Sequence, residues 1–547
     1  MNAGRLRTGL FDVWGRWPAA CVLLLFVLLA VLHTWPLATD PGGLSRNDNG
    51  DTILIAWTLA WVAHQTFADP LHLFDANIFY PSHHTLAFSE HLFALGMMAT
   101  PLFWLGASPV LAYNLMLIAG FALTGWSLAL VMQRWTGEWL GGILAGSVLA
   151  FNTHTLTRLP HLHAAHFEFL APMLFMLDVI LREPRLRRGL WLALWFLLMA
   201  LTSNYHMMFA LAALGAGVLC RPAELRAPRT LATLGVAGAV AAVAMIPFLW
   251  PYLQVAREYG HVRSLDEVSM YVAGWDDYLS SAGRLHFALW SEPFYKRANI
   301  SLFPGVVPIV LAVLAVIVGV AWRDRRARLC LAVGVAGLLL SFGTALPGYA
   351  VLYDVFPLLH GIRGANRFGF LLLFAIGALA GFAIAWLRAR FADRRWPVIL
   401  AIVAIALVQV EAWRAPFAYV PFDGIPNLYA LLRDQHAVVA EFPFDDPQHT
   451  HENAYTMLNT TRTWHQMVNG HSAFIPRSYR DLYPRVADFP SAQALTALRE
   501  AGVTHVVVHT DKFGPLPREI PGLRLMATGK NVSLFSLDGA QAATTAR

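Results

Sequence analysis

Eleven long apolar runs constrain the fold of this chain more than any other feature. They lie at residues 17–35, 110–132, 138–151, 167–181, 189–203, 205–220, 230–250, 304–321, 328–343, 368–387 and 397–412. An α-helix needs about 20 apolar residues to cross a bilayer. Hydrophobic residues make up 57% of the chain and charged residues 14%, whereas roughly 25% charged residues is usual for soluble domains. The runs therefore predict an α-helical polytopic membrane protein with about eleven transmembrane helices.

The placement of arginine predicts the orientation of these helices. A twelfth apolar stretch, residues 91–108, is ambiguous. If this stretch does not cross the membrane, six segments lie on the same side of it. They are 1–16, 133–139, 182–188, 221–229, 323–328 and 388–396. These segments carry 19 arginines, while the longer stretches on the other side carry nine Lys or Arg. Cytoplasmic loops are enriched in Lys and Arg. We therefore predict an inside N-terminus, an outside C-terminus and a juxtamembrane or re-entrant helix at 91–108.

The basic balance of the chain follows from this topology. The net charge is +6, and only three residues are lysines. Arginines that mark cytoplasmic loops next to a lipid bilayer explain such a charge. We expect no nucleic-acid partner.

The composition changes after residue 412. A stretch rich in Pro and Gly leads to two apolar stretches typical of strands, 437–444 and 504–511, with a helical segment at 491–502 and a hairpin at 523–537. We predict two domains. Residues 1–412 form the transmembrane module, which includes an extracytoplasmic loop at 36–109, and residues 413–547 form a small extracytoplasmic α/β domain.

An acidic cluster follows the first apolar run. In "RNDNGDTIL", residues 46–54, Asp48 and Asp51 stand among asparagines and a glycine. Asn, Asp and Gly favour turns, and Asp caps helices well, so a solvated capping turn is one interpretation. A catalytic carboxylate is another. The same oxygens suit Mg²⁺ or Mn²⁺, because hard cations prefer oxygen ligands.

Further polar residues gather on the predicted outer side. The first outer loop carries Glu90 and His91, the second outer turn contains His163, and the next turn, "SNYH", contains Tyr205 and His206. Ionisable groups at the membrane are costly and tend to be paired or functional. We predict that these five residues bind substrate, although Tyr and His also occur at helix ends as interfacial residues.

These features together resemble the GT-C superfamily of integral membrane glycosyltransferases, of the protein mannosyltransferase and aminoarabinose transferase kind. The resemblance covers most of the chain: a long first outer loop with acidic residues directly after helix one, many crossings and an outer C-terminal domain. "NDNGD" occupies the place of the catalytic acidic motif of the family but is neither a DxD nor a DE motif, which leaves open which Asp is the base. "NIFYPSHHTLAFSEHLFA" looks like the second half of that loop. "HGIRGANRFGF", residues 360–370, resembles a late outer loop with Arg at a helix mouth.

The resemblance implies an enzyme of the bacterial cytoplasmic membrane that moves a sugar, with inversion, from a polyprenyl-phosphate donor to an acceptor hydroxyl on a glycan, lipid or protein. Asp48 or Asp51 would be the general base. Arg363, Arg367 and Arg158 would bind the donor phosphate.

Other interpretations stay open at this point. Arg363 and Arg367 are alternatively interfacial anchors. A transporter or flippase of a lipid-linked glycan is the first alternative function, and a catalytically inactive GT-C-like assembly partner is the second. A transporter needs polar residues at the bilayer midplane, whereas the apolar runs here are mostly Leu, Ala, Val and Phe.

Overall fold

The computed structural model describes residues 16–45, 50–260, 262–298, 300–433, 435–517 and 519–539. This part of the chain is mainly helical and carries a small sheet near its C-terminal end. The predicted fold class is confirmed at this level.

The helices are numbered in chain order, with short 3₁₀ turns between several of them. Those before residue 261 are α1 Arg16–His33, α2 Asp51–Ala68, α3 Phe93–Trp104, α4 Pro109–Thr136, α5 Trp139–Ala150, α6 Thr153–Leu156, α7 Leu170–Arg182, α8 Leu186–Thr202, α9 Asn204–Leu219, α10 Pro222–Leu225 and α11 Pro228–Tyr259. Those after it are α12 Leu265–Ser269, α13 Trp275–Leu279, α14 Arg284–His286, α15 Val306–Ile317, α16 Val320–Arg323, α17 Arg325–Ser341, α18 Tyr349–Val355, α19 Gly369–Arg390, α20 Trp396–Ala412, α21 Asn453–Thr460, α22 Arg477–Val486, α23 Ala492–Glu500 and α24 Thr510–Phe513. The strands are β1 Leu44–Ser45, β2 Val420–Pro421, β3 Val438–Phe442, β4 Gln466–Met467, β5 His505–His509, β6 Leu523–Thr528 and β7 Val532–Leu537.

Ten of the eleven apolar runs coincide with one helix each, and the run 304–321 is divided between α15 and α16 at Gly319. Within the described residues, three helical segments are long and apolar enough to cross a bilayer: Pro109–Thr136, Pro228–Tyr259 and Ala365–Arg390. The chain is thus a membrane protein. The number of eleven crossings stays a prediction, because several apolar helices are short. Helix α3, within the ambiguous stretch 91–108, has 12 residues and a length of about 18 Å, against about 30 Å of hydrocarbon.

The contacts divide the chain into two compact units. The first contains Met1–Thr39, Leu117–Ala244 and Arg263–Phe417, and the second contains Asp40–Met116, Met245–Val262 and Ala418–Arg547. The sequence placed the boundary after 412 and assigned the loop 36–109 to the membrane module. In the structure most of this loop groups with the C-terminal region, and the predicted domain bounds stay a prediction.

Helix α19 is the centre of the first unit, and small residues let its neighbours approach closely. A Cβ on Gly381 would lie 2.5 Å from the carbonyl oxygen of Gly141 on α5, and the reverse holds for a Cβ on Gly141. On the same helix α5, a Cβ on Gly146 would clash with the carbonyl oxygen of Gly125 on α4. Small residues are typical of close helix crossings in membranes. Helix α5 therefore packs with backbone contacts against α4 and α19.

The second unit contains a five-stranded sheet of order β4-β3-β5-β7-β6. Strand β3 is parallel to β4 and β5, and β7 is antiparallel to β5 and β6. Alternate residues of β3 enter two different hydrophobic clusters, Val438 in one and Val439 in the other. The sheet is therefore covered on both faces, as expected for the predicted α/β domain.

The long loop of the second unit packs against this domain. Helix α2 contacts α21, where the indole N–H of Trp57 donates to Thr460 Oγ1 at 3.3 Å. The backbone N–H of Tyr80 donates to the carbonyl oxygen of Met467 at 2.9 Å, and the Asn77 amide donates to the carbonyl oxygen of His465 at 2.7 Å. These long-range bonds explain why the loop groups with the C-terminal region.

Candidate functional site

The first unit brings together Arg367 and Tyr205, which the sequence separates widely. Tyr205 is the second residue of α9, and its hydroxyl accepts hydrogen bonds from the backbone N–H of Arg363 at 3.3 Å and of Gly364 at 3.0 Å. The guanidinium of Arg367 stacks 4.0 Å from the centroid of the Tyr205 ring. A stacked guanidinium loses little further freedom when it binds a ligand.

Local sequence explains how these segments fold. Asn152 caps α6 by accepting from the backbone N–H of Thr155 at 2.9 Å, which starts the turn that carries Arg158. In the other segment, a Cβ on Gly364 would lie 3.2 Å from Nε of Arg367 and 3.3 Å from the Tyr205 hydroxyl. A side chain at position 364 would therefore press on Arg367 and Tyr205.

The basic cluster formed by Arg158, Arg363 and Arg367 has an excess of positive charge. Arg158 is only 6% exposed, and within the described residues its Nε has no hydrogen-bond partner. Burial, followed by the charge of Arg367, lowers the pKa of Arg158 from 12.5 to about 9. Arg363 is 42% exposed and lies 3.8 Å from Glu267, a carboxylate already bound by Arg263 at 2.7 Å. The basic cluster therefore has more cationic hydrogen-bond donors than nearby acceptors, which suits the binding of an anion.

Imidazoles surround the basic cluster and are held neutral. The rings of His161 and His206 each lie 5.9 Å from the ring of His163. Burial, followed by the positive charges of Arg158 and Arg367, holds the pKa values of His161 and His163 well below 6.5. A neutral imidazole offers one donor and one acceptor. The predicted substrate ligands His163, Tyr205 and His206 thus lie in one region with the arginines.

Asp51 lies in the second unit, as the first residue of α2. Gly50 precedes it with φ of 77°, and a Cβ on Gly50 would lie 2.9 Å from the carbonyl oxygen of His451. The start of α2 therefore contacts the C-terminal domain. A carboxylate in the first turn also interacts favourably with the helix dipole, so a role in helix stability and a role in catalysis are compatible.

Asp48 lies outside the described residues. The roles of Asp48 and Asp51 as base and as ligands of Mg²⁺ or Mn²⁺ stay predictions. In the part of the chain that the structure describes, no group of three or more His, Cys, Asp or Glu side chains is arranged to hold a metal ion.

Glu90 and His91 precede α3 in the second unit. Nδ1 of His91 accepts from the backbone N–H of Phe93 at 3.0 Å, and the His91 backbone N–H donates to the Tyr252 hydroxyl at 3.1 Å. Burial lowers the pKa of His91 to about 4, against an opposing effect of Glu90. These contacts give His91 a role in holding the start of α3. The predicted role of Glu90 and His91 in substrate binding stays a prediction.

Sequence reasoning missed a carboxylate–imidazole pair in the C-terminal domain. Oε2 of Glu441 on β3 lies 2.6 Å from Nε2 of His509 on β5 and accepts from the Tyr429 hydroxyl at 2.9 Å. The sequence treated "AVVAEFPF" and "THVVVHTD" only as strands. The available signal was a carboxylate in the middle of an apolar strand, since a buried carboxylate needs a partner.

Comparison with known proteins identifies the fold. No protein-family model matches the sequence, and no curated protein matches it. The structure is similar to arabinofuranosyltransferase AftD from Mycobacteria, with a TM-score of 0.58, 16% identity, and 96% of this chain and 40% of that chain covered. It is also similar to the oligosaccharyltransferase of Archaeoglobus fulgidus in the apo form, with a TM-score of 0.51, 10% identity, and 91% and 70% coverage.

These similarities confirm the resemblance at the level of the fold. The chain has the fold of the GT-C integral membrane glycosyltransferases. It spans about 40% of the length of AftD. Fold alone does not fix activity.

Proposed function

We propose that this protein is a glycosyltransferase of the GT-C type that moves a sugar from a polyprenyl-phosphate donor to an acceptor hydroxyl at the outer face of the bacterial cytoplasmic membrane. The observation that supports this most is the basic cluster of Arg158, Arg363 and Arg367 beside Tyr205. A buried guanidinium that lacks its full set of acceptors is destabilising. A phosphate offers acceptor oxygens and negative charge, and Arg binds it with strong, charge-assisted hydrogen bonds.

The arginines would act on the leaving group. As the acceptor oxygen attacks the anomeric carbon from the opposite side, the bond to the phosphate oxygen breaks and the configuration inverts. Negative charge then grows on the phosphate, where donors fixed in advance stabilise the transition state. Arg367 is held by its stack on Tyr205 and Arg158 by burial. A lipid phosphate leaves readily as an anion, so this step needs no general acid.

The loop carboxylate would act on the acceptor. A sugar, lipid or protein hydroxyl is a weak nucleophile, and Asp51 or Asp48 would accept its proton as the new bond forms, an effect of about 10²–10⁴ in rate. We also propose that these two carboxylates bind Mg²⁺ or Mn²⁺. The proton transfer itself requires only the carboxylate that acts as the base. His163, His206 and Tyr205 would bind hydroxyls of the donor sugar.

The proposal is tested by sugar transfer in the reconstituted full-length protein. Polyprenyl-phosphate donors of mannose, glucose, arabinose and aminoarabinose are compared, first with wild type and then with Asp48→Asn and Asp51→Asn. We expect one variant to lose about 10²-fold or more in rate. Asp69→Asn is the matched control, because Asp69 is in the same loop and bonds exposed His72 at 2.8 Å. Wild-type rates in both Asp48 and Asp51 variants would remove the proposed base.

A further inference from the structure

The sheet of the C-terminal domain has a topological switch point between β3 and β5. From β3 the chain continues through α21 to β4 on one side, whereas from β5 it continues to β6 and β7 on the other side. Strands β3 and β5 are parallel, so their carboxyl ends lie at the same edge. In open α/β sheets, ligands bind in the crevice outside the carboxyl ends of strands at such a point.

The pair of Glu441 and His509 joins the two strands at this edge. Glu441 is fully buried, and within the described residues its Oε1 has no hydrogen-bond partner. An unsatisfied buried carboxylate oxygen is destabilising, and a donor from a ligand would remove this penalty. The side chain of His509 is 20% exposed, so it lies where a ligand can reach it. Burial lowers the pKa of His509, but the hydrogen bond and charge of Glu441 outweigh burial and raise it.

The loops that leave the two strands add paired charges. Lys512, after β5, bonds Glu452 at 2.5 Å, and its Nζ lies 5.7 Å from the centroid of the Tyr455 ring. Asp445, after β3, accepts from the backbone N–H of Asn453 at 3.1 Å. The acidic and basic side chains of these loops largely neutralise one another, and this charge balance does not favour the binding of a phosphate. Hydroxyl groups both donate and accept and match this mixture of groups.

The start of α2 lies at the same loop. A Cβ on Gly50 would lie 2.9 Å from the carbonyl oxygen of His451. His451 precedes Glu452, and Nε2 of His451 lies 3.7 Å from Oε1 of Glu452. Asp51, which follows Gly50, is the candidate base. Thus the loop that follows β3 also contacts the start of α2, which carries the candidate base.

We propose that Glu441, Asp445, Glu452, His509 and Lys512 form a switch-point crevice that binds a carbohydrate acceptor and brings one of its hydroxyls to Asp51. This inference rests on the proposed function and narrows its acceptor to a carbohydrate. Glu441 accepts a hydrogen bond from an acceptor hydroxyl through Oε1. His509 and Lys512 supply the complementary donors.

The test uses the full chain in nanodiscs, with octyl glycosides of mannose, glucose and arabinofuranose as acceptors. In His509→Asn and Lys512→Ala we expect the acceptor KM to rise about 10-fold, the value for one charge-assisted hydrogen bond. The kcat at saturating acceptor and the donor KM stay unchanged. His436→Asn, exposed near the start of β3, and Lys530→Ala, exposed in the β6–β7 hairpin, are controls with wild-type kinetics. An unchanged acceptor KM in both crevice variants would overturn the inference.

A binding measurement separates this inference from the proposed function. Saturation-transfer NMR with the same glycosides needs no donor. If wild type binds the glycosides and the crevice variants do not, the crevice is supported even if no donor is consumed. Sugar transfer to lipid or peptide acceptors, with glycoside binding equal in wild type and variants, overturns the crevice and leaves the transferase intact. If His509→Asn does not fold, Lys512→Ala decides, because that side chain is 49% exposed.

Discussion

Replacing Arg158 with Met should stabilise the empty protein and weaken its binding of a lipid phosphate. Met keeps an unbranched, flexible side chain and removes the guanidinium with its charge. The fall of the Arg158 pKa from 12.5 to about 9 corresponds, at about 1.4 kcal/mol per pH unit, to roughly 5 kcal/mol against the charged guanidinium. Relaxation reduces this figure, and replacing buried ionic groups by apolar ones stabilises proteins by about 1–4 kcal/mol. We therefore expect Arg158→Met to raise the apparent Tm.

The same substitution removes donors from the basic cluster. A hydrogen bond to a charged group is worth about 1.5–3 kcal/mol, so the Kd for undecaprenyl phosphate should rise by about 10- to 150-fold. Binding also shifts Tm by mass action, and the lipid-induced shift should therefore be smaller in the variant than in wild type.

Both effects are measured by thermal unfolding in nanodiscs, followed by tryptophan fluorescence with and without undecaprenyl phosphate. Arg394→Met is the matched control, since Arg394 is exposed between α19 and α20, and it should change neither quantity. A lower Tm of the empty variant together with a wild-type lipid-induced shift would refute the reasoning about the cluster.

Three further predictions concern packing and pH. Gly381→Leu should lower Tm strongly, because its Cβ would lie 2.5 Å from the α5 backbone. Gly215→Leu should not lower Tm, because the space around a Cβ at position 215 is open. An equal Tm in both variants would contradict the close helix crossing. Trp57→Ala should destabilise the second unit by about 3–5 kcal/mol, because Trp57 is buried against α21. Denaturant unfolding measures this loss of stability. A loss below about 1 kcal/mol would contradict the packing of Trp57. Burial raises the pKa of Asp445 from 3.8 to about 6, so this group favours folding below about pH 4 and loses that contribution as the pH rises through about 6. Asp445→Asn should therefore have the higher Tm near pH 8 and no advantage near pH 4, and an advantage that grows on acidification would contradict the sign.

Features that depend on local sequence were predictable. Every apolar run is helical, ten as one helix and the run 304–321 as two, because burial in lipid or in a helix bundle demands a continuous apolar segment and intrasegment hydrogen bonds. The strands at 437–444 and 504–511 and the hairpin at 523–537 also appear in the structure. Their alternation and turn residues are local signals of the same kind.

Features that depend on contacts between distant segments were not predictable. The stack of Arg367 on Tyr205 requires two segments to meet that are far apart in the sequence. The pairing of Glu441 with His509, 68 residues apart, depends on strand order, which no local pattern encodes. The grouping of residues 40–116 with the C-terminal region likewise depends on long-range bonds such as those of Asn77 and Tyr80.

The most direct test of the transferase proposal follows a radiolabelled polyprenyl-phosphate sugar in vesicles that contain the wild-type protein and an acceptor glycoside. The proposal predicts that the sugar moves to the acceptor with inverted anomeric configuration and that one polyprenyl phosphate is released for each sugar transferred. Movement of the intact lipid-linked sugar across the bilayer, with no donor consumed, would contradict it and would instead indicate a flippase.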